Sequence, residues 1–227
     1  MTAMDREIRF RDWKALVEAL GVFALIMMYI WWLRLDHPWI ALVLLGFVIS
    51  THFTHREHPI WLGFGWRNFR HALPVVAPWV AFFAVGLFAT GLLLGTVRET
   101  TLGRALLSIF AYVFWGLFQQ YLLNGYFANR LAEFLGKSHV HGVALGAAAL
   151  FSLVHFPNWF LLPVTFAGGY VCARVYLRYR SLYVLALAHG IVGFFLFLVV
   201  PDSVSAHFLV GPRYLIQMYG TYPEILL

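Results

Sequence analysis

Long apolar runs alternate with short polar stretches along the chain. The runs cover residues 15–33, 38–53, 73–97, 104–129, 141–155, 158–177 and 182–200. A helix needs about 20 predominantly apolar residues to cross the hydrocarbon of a bilayer, and most of these runs approach that length. Lipid offers no partner to backbone N–H and C=O groups, so such runs satisfy themselves as helices, not as open strands. The pattern predicts an all-α, polytopic membrane helix bundle of about seven spans over 15–200, after a short N-terminal segment, 1–14. The tail, 201–227, is moderately apolar but broken by Pro201, Gly211, Pro212 and Pro223. It has room for an eighth short or re-entrant helix over 203–219. The stretch 54–71 mixes His, Arg and Glu with Trp61, Phe64 and Trp66, a composition suited to a partly helical interfacial loop.

Composition supports this division. Of 227 residues 62% are hydrophobic and 11% charged, against roughly 45–50% and 25% in soluble domains, which excludes an ordinary soluble enzyme. The net charge is +6, but the arginines are scattered between apolar runs and form no basic patch, so the charge reports membrane orientation and not nucleic-acid binding. Lys and Arg fall twelve to four on alternate sides of the seven spans, which places the N-terminus in the cytoplasm. The acidic residues among the N-terminal bases, and the lack of a small-residue cleavage site, argue against a signal peptide. Cys172 stands alone and reads as a small packing residue.

Polar side chains inside the apolar runs carry the candidate chemistry. The fourth run holds Gln119, Gln120 and Asn124; the fifth ends Phe151-Ser152-Leu153-Val154-His155; the seventh holds His189, followed by Gly190 and Gly193. Helical geometry puts Gln120 and Asn124 on one face, with Gln119 about 100° round. Amides can cross-link membrane helices by hydrogen bonds alone. Five such groups on three helices, two of them histidines, point instead to a buried functional site. The acids all lie in tails or loops except Glu18, about one turn inside the first run, and none sits at the depth of Gln119. The run His52, His55, Glu57 and His58 has ligand-type residues, but Pro59 follows and no partner is evident, so it reads as interfacial loop. His139 and His141 read as a helix start, and Asn158 as a helix cap or a cavity-facing residue.

These spacings resemble the CPBP group of membrane proteins, which includes the type II CAAX prenyl endopeptidases and the bacteriocin-processing and immunity proteins. That group carries Glu-Glu-x-x-x-Arg, Phe-x-x-x-His and His-x-x-x-Asn on separate helices. Here the corresponding segments are Gln119-Gln120-Tyr121-Leu122-Leu123-Asn124, Phe151 to His155, and His189-Gly190-Ile191-Val192-Gly193. The resemblance spans about 105–200, with Gly125 and the Gly168-Gly169 pair in support. It implies an endopeptidase of a prokaryotic plasma membrane, working among membrane lipids on membrane-embedded or lipidated peptides. It implies catalytic positions at Gln119, Gln120, His155 and His189, and substrate contacts at Asn124, Phe151 and Gly193, with Asn158 a further candidate. No cofactor, metal or nucleic-acid partner is expected. In the family the first glutamate activates a water; here both glutamates are glutamine, the arginine is Asn124 and the last Asn is Gly193. A carboxamide is neither a general base nor a good zinc ligand. Three readings stay open: a variant protease, a non-catalytic pseudoprotease that binds a membrane peptide or lipid, and an enzyme using His155 and His189 on a lipid-like small molecule.

Overall fold

The computed structural model describes residues 12–220. The N-terminal segment through residue 11 and the end of the tail from residue 221 lie outside the described residues. All seven apolar runs are helical. Helix α1 (Trp13–Met28) starts at Asp12, whose carboxylate accepts from the backbone N–H of Lys14 and Ala15, and it runs on into a π-helical turn, Tyr29–Leu33. Then follow α2 (Ile40–Thr54), α3 (Trp66–Leu94) and α4 (Leu102–Gln120), the last capped by the Thr101 hydroxyl. A π-helical segment, Tyr121–Ala128, joins α4 without a break to α5 (Asn129–Leu135). The order ends with α6 (Val140–Leu153), α7 (Leu161–Tyr179), α8 (Leu182–Val199) and the short α9 (Asp202–Ser205) and α10 (Pro212–Tyr219). Among the described residues the one β-type pairing is an isolated bridge between Phe64 and Ser181.

Among the described residues, four continuous helices are long and apolar enough to cross a membrane: Trp13–Leu33, Trp66–Leu94, Leu102–Leu135 and Leu182–Val199. Helices α2 and α6 are apolar but shorter, and α7 carries Arg174 and Arg178 in its last turns. The fourth helix continues six residues past the expected end at Asn129, because buried partners receive the polar side chains that made the sequence look like a loop. The third begins at Trp66, not Leu73, so Arg67, Arg70 and His71 form its first turns. The tail is not one helix over 203–219: Ala206, His207 and Phe208 adopt positive φ and Gly211 precedes Pro212, which splits it in two.

Two close crossings assemble the bundle. At the first, Gly190 of α8 meets the backbone of Val113 on α4, where an added Cβ would lie 2.6 Å from the Val113 N and Cα. Three residues along α4, Gly116 lies against the Ala186 carbonyl and the ring of His189. At the second crossing, Gly169 of α7 abuts Phe151 and Ala148 of α6. Helices in lipid gain little from hydrophobic burial against each other, so such backbone proximity and its dispersion contacts hold them. Tyr121, Tyr126, Phe127, Tyr176 and Leu182 fill the interior. Leu93, Leu107, Phe110 and Phe114 are left exposed on the outside, where lipid would cover them.

Because Gly190 has backbone and not a flexible side chain opposite it, Gly190→Ala should cost about 1–3 kcal/mol by overpacking. Gly46→Ala, with nothing within 4 Å of its new methyl, should be neutral. Equilibrium unfolding of both variants in mixed micelles checks the difference.

Candidate functional site

The α4–α8 crossing brings the first and third motif segments together. Gln120 is 1% exposed and Asn124 fully buried. Asn124 Nδ2 donates to Gln120 Oε1 at 2.7 Å, and Gln120 Nε2 lies 3.2 Å from His189 Nδ1. This is a directed chain: the Gln120 oxygen is occupied by Asn124, so its amide nitrogen faces the imidazole. An amide N–H can only donate, so His189 Nδ1 accepts and the proton of the neutral ring sits on Nε2. Asn124 Oδ1 is buried and meets no donor among the described residues, which leaves one buried acceptor in the site unsatisfied. Cys172 of α7 lies beside Gln120.

The second motif works the other way. His155 follows the last turn of α6, and its Nδ1 lies 2.7 Å from the Phe151 carbonyl oxygen four residues back. A carbonyl can only accept, so Nδ1 carries the proton and Nε2 keeps its lone pair. The Phe151 ring meets both imidazoles edge-on, at 4.9 Å from His155 and 6.3 Å from His189. The site therefore offers one imidazole as donor and one as acceptor, both in contact with one phenyl ring.

The remaining candidate positions divide. Gln119 is half-buried and makes no side-chain hydrogen bond to another described residue. Gly193 packs against the ring of Tyr112, a helix contact. Asn158 has no free amide group: its Oδ1 accepts from the backbone N–H of Phe160 and Leu161, and its Nδ2 donates to the carbonyls of Ser205 and Leu209. It caps α7 and ties the tail to the turn that carries His155.

Among the described residues no group of three or more His, Cys, Asp or Glu is arranged to hold a metal ion. Residues 101–195 are similar to a known family. They match the family described as "Type II CAAX prenyl endopeptidase Rce1-like". No curated protein and no solved structure matches the chain. The Rce1-like segment contains all three motif segments, and with the apolar helices it marks an integral membrane protein similar to membrane proteases.

The Rce1-like segment is anchored from outside it at Arg130. Arg130 of α5 is fully buried. Its Nε donates to Glu18 of α1 at 2.7 Å, one terminal nitrogen to Glu57 at 2.8 Å, and the other to Glu133 at 3.3 Å. His52 Nδ1 reaches the same Glu57 oxygen at 2.7 Å, and His55 Nε2 reaches Glu18 at 2.8 Å. The reading of His52, His55 and Glu57 as partnerless interfacial loop is corrected: Glu57 pairs with Arg130, and the two histidines hydrogen-bond the carboxylates that this arginine gathers. The available signal was Glu18, a carboxylate inside a span, which needs a buried cation to be tolerated there.

Burial by itself would raise the Glu57 carboxyl, but hydrogen bonds from His52 and Arg130, and the arginine's charge, bring it down to about 2. A depressed carboxylate stabilises the fold above its unfolded value, and that contribution disappears as pH falls through the folded one. Stability of the purified protein should therefore drop between about pH 4.3 and about 2. Glu57→Gln should flatten that part of a pH-dependent unfolding series while lowering stability at neutral pH.

Proposed function

We propose that this protein is an endopeptidase homologue of the CPBP type that captures membrane-associated or lipidated peptides but hydrolyses them poorly. The observation that carries this reading is the amide chain Asn124–Gln120–His189. Where the related family sets a carboxylate against histidine, this site sets a carboxamide, and the neutral groups satisfy one another. The described carboxylates nearest in sequence, Glu99 and Glu133, lie on a loop and in the Arg130 cluster. Neither is positioned by its contacts to take a proton from a water at Gln120.

Binding chemistry survives this exchange. The His189 Nε2–H is a donor suited to a peptide carbonyl or to the oxyanion that forms from it. The Phe151 ring offers an apolar surface beside it. The basic end, with Arg130 and the α2–α3 loop, faces the cytoplasm on the twelve-to-four charge bias, so a peptide would enter from that side. A second reading is favoured by His155, whose Nε2 lone pair makes it a base that needs no carboxylate.

A panel of membrane peptides in lipid nanodiscs separates the two. Wild type should bind peptide with little turnover, and restoring both acids, Gln119→Glu together with Gln120→Glu, should raise cleavage by about 10²–10⁴, the usual worth of a positioned base. Adding His155→Ala to that double variant should abolish the gain. Wild-type cleavage as fast as that of the double variant, lost on His155→Ala, would instead establish histidine-based hydrolysis.

A further inference from the structure

At the basic end of the bundle, away from Gln120 and the two histidines, lies a cleft of about 510 Å³. Its lining includes Glu57, Trp61, Asn68, Glu133, Lys137 and Arg180, where the α2–α3 loop, the end of α5 and the α7–α8 turn meet. We propose that this cleft binds a phosphoethanolamine group, supplied by the headgroup of a phospholipid.

Charge around the cleft is incompletely paired. Arg130 serves three carboxylates, and two of them, Glu18 and Glu57, are held at 2.7 and 2.8 Å. Glu133 is held only at 3.3 Å and its side chain is 34% exposed, so it is the least neutralised of the three, and it lines the cleft. Lys137 is exposed and has no ion pair among the described residues. Arg180 donates from one terminal nitrogen to the Trp61 carbonyl and to Asn129 Oδ1 and lies over the Tyr176 ring, all neutral partners, and it has no carboxylate partner among the described residues. The cleft thus joins two cations that lack a counter-ion to one under-neutralised carboxylate. A ligand that matches it carries an anion and a hydrogen-bonding cation together.

Backbone and apolar neighbours support the same choice. Arg180 is held in the left-handed conformation, with φ 49° and ψ 51°, where a residue with a Cβ is strained and glycine is the cheaper occupant. Its backbone carbonyl accepts from Asn68 Nδ2 at 2.9 Å, so two lining residues hold the strained turn in place, as strained backbone is held at binding sites. Ile60 and Trp61, also in the lining, are exposed and suit the glycerol and upper acyl region at a membrane interface. The volume lies within the range of small-molecule sites. A purely anionic headgroup would leave Glu133 facing a like charge, and a trimethylammonium cannot donate a hydrogen bond to it.

Native mass spectrometry of the whole protein, released from nanodiscs of equal phosphatidylethanolamine, phosphatidylcholine and phosphatidylglycerol, tests the proposal. Phosphatidylethanolamine should be retained at least five-fold over the other two. Glu133→Gln should lose that preference against phosphatidylglycerol, and Lys137→Gln should weaken retention of all three. Free phosphoethanolamine at millimolar concentration should displace the lipid only weakly; displacement as effective as by lipid would show that the soluble compound, not the lipid, is the ligand. Equal retention of the three lipids by wild type, an unchanged preference in Glu133→Gln, or a peptide in place of lipid would overturn the proposal. Both variants change exposed or weakly bonded side chains, and an unfolding series on each confirms that the fold is intact.

Discussion

One fully buried guanidinium organises the basic half of the molecule. Arg130 has no water to solvate it, and a buried cation persists only with paired and hydrogen-bonded partners. It recruits them from three separated parts of the chain: α1, the α2–α3 loop and its own helix. Meeting that demand sets where α1 lies against α5 and how the α2–α3 loop folds back over them. Next to it, Asn129 bonds both Tyr176 and Arg180, and Tyr176 donates to the Leu62 carbonyl. The requirement to satisfy polar groups away from water thus spreads from one residue to the turn that starts α8, and α8 carries His189.

The site itself rests on a different device. Glycine at Gly116 and Gly190 lets two backbones meet, and the amides of Asn124 and Gln120 then reach the imidazole in a fixed direction. Donor direction is what distinguishes this arrangement from one built on glutamate. A carboxylate would accept from His189 Nδ1 and leave its Nε2 bare, whereas the amide donates and leaves an Nε2–H. An amide at this position in place of an acid would therefore both lack a base and reverse the role of the neighbouring histidine. The same polar side chains at the same spacing can thus keep the fold and the pocket while changing which atoms give and which take protons.

Much of this was legible in the sequence, for reasons that can be named. Apolar runs of near-spanning length admit only helices, so the order of elements followed directly, and Gln120, Asn124 and His189 stood out because amides and imidazoles are costly in lipid. Two things were hidden. The Arg130 cluster joins residues 112 positions apart, and no local pattern announces that Glu18 and Arg130 share a depth. Asn158 looked equally able to cap or to face a cavity; only the return of the tail, with Ser205 and Leu209 accepting its amide, shows that all its bonds are used. Helix ends were missed where buried polar residues resembled loop, as at Asn129 and Arg130.

The π-helical stretch at Tyr121–Ala128 has a geometric effect on all of this. A π turn holds more residues than an α turn, so each residue in the stretch rotates the helix less, and the two ends of the 34-residue rod Leu102–Leu135 fall out of phase with each other. Before the stretch the rod shows Gly116 and Gln120 to α8; after it, Arg130 addresses α1 and the α2–α3 loop. One helix thereby serves as two separately aimed tools, a reading head and an anchor, with the wide turn as the collar that sets the angle between them.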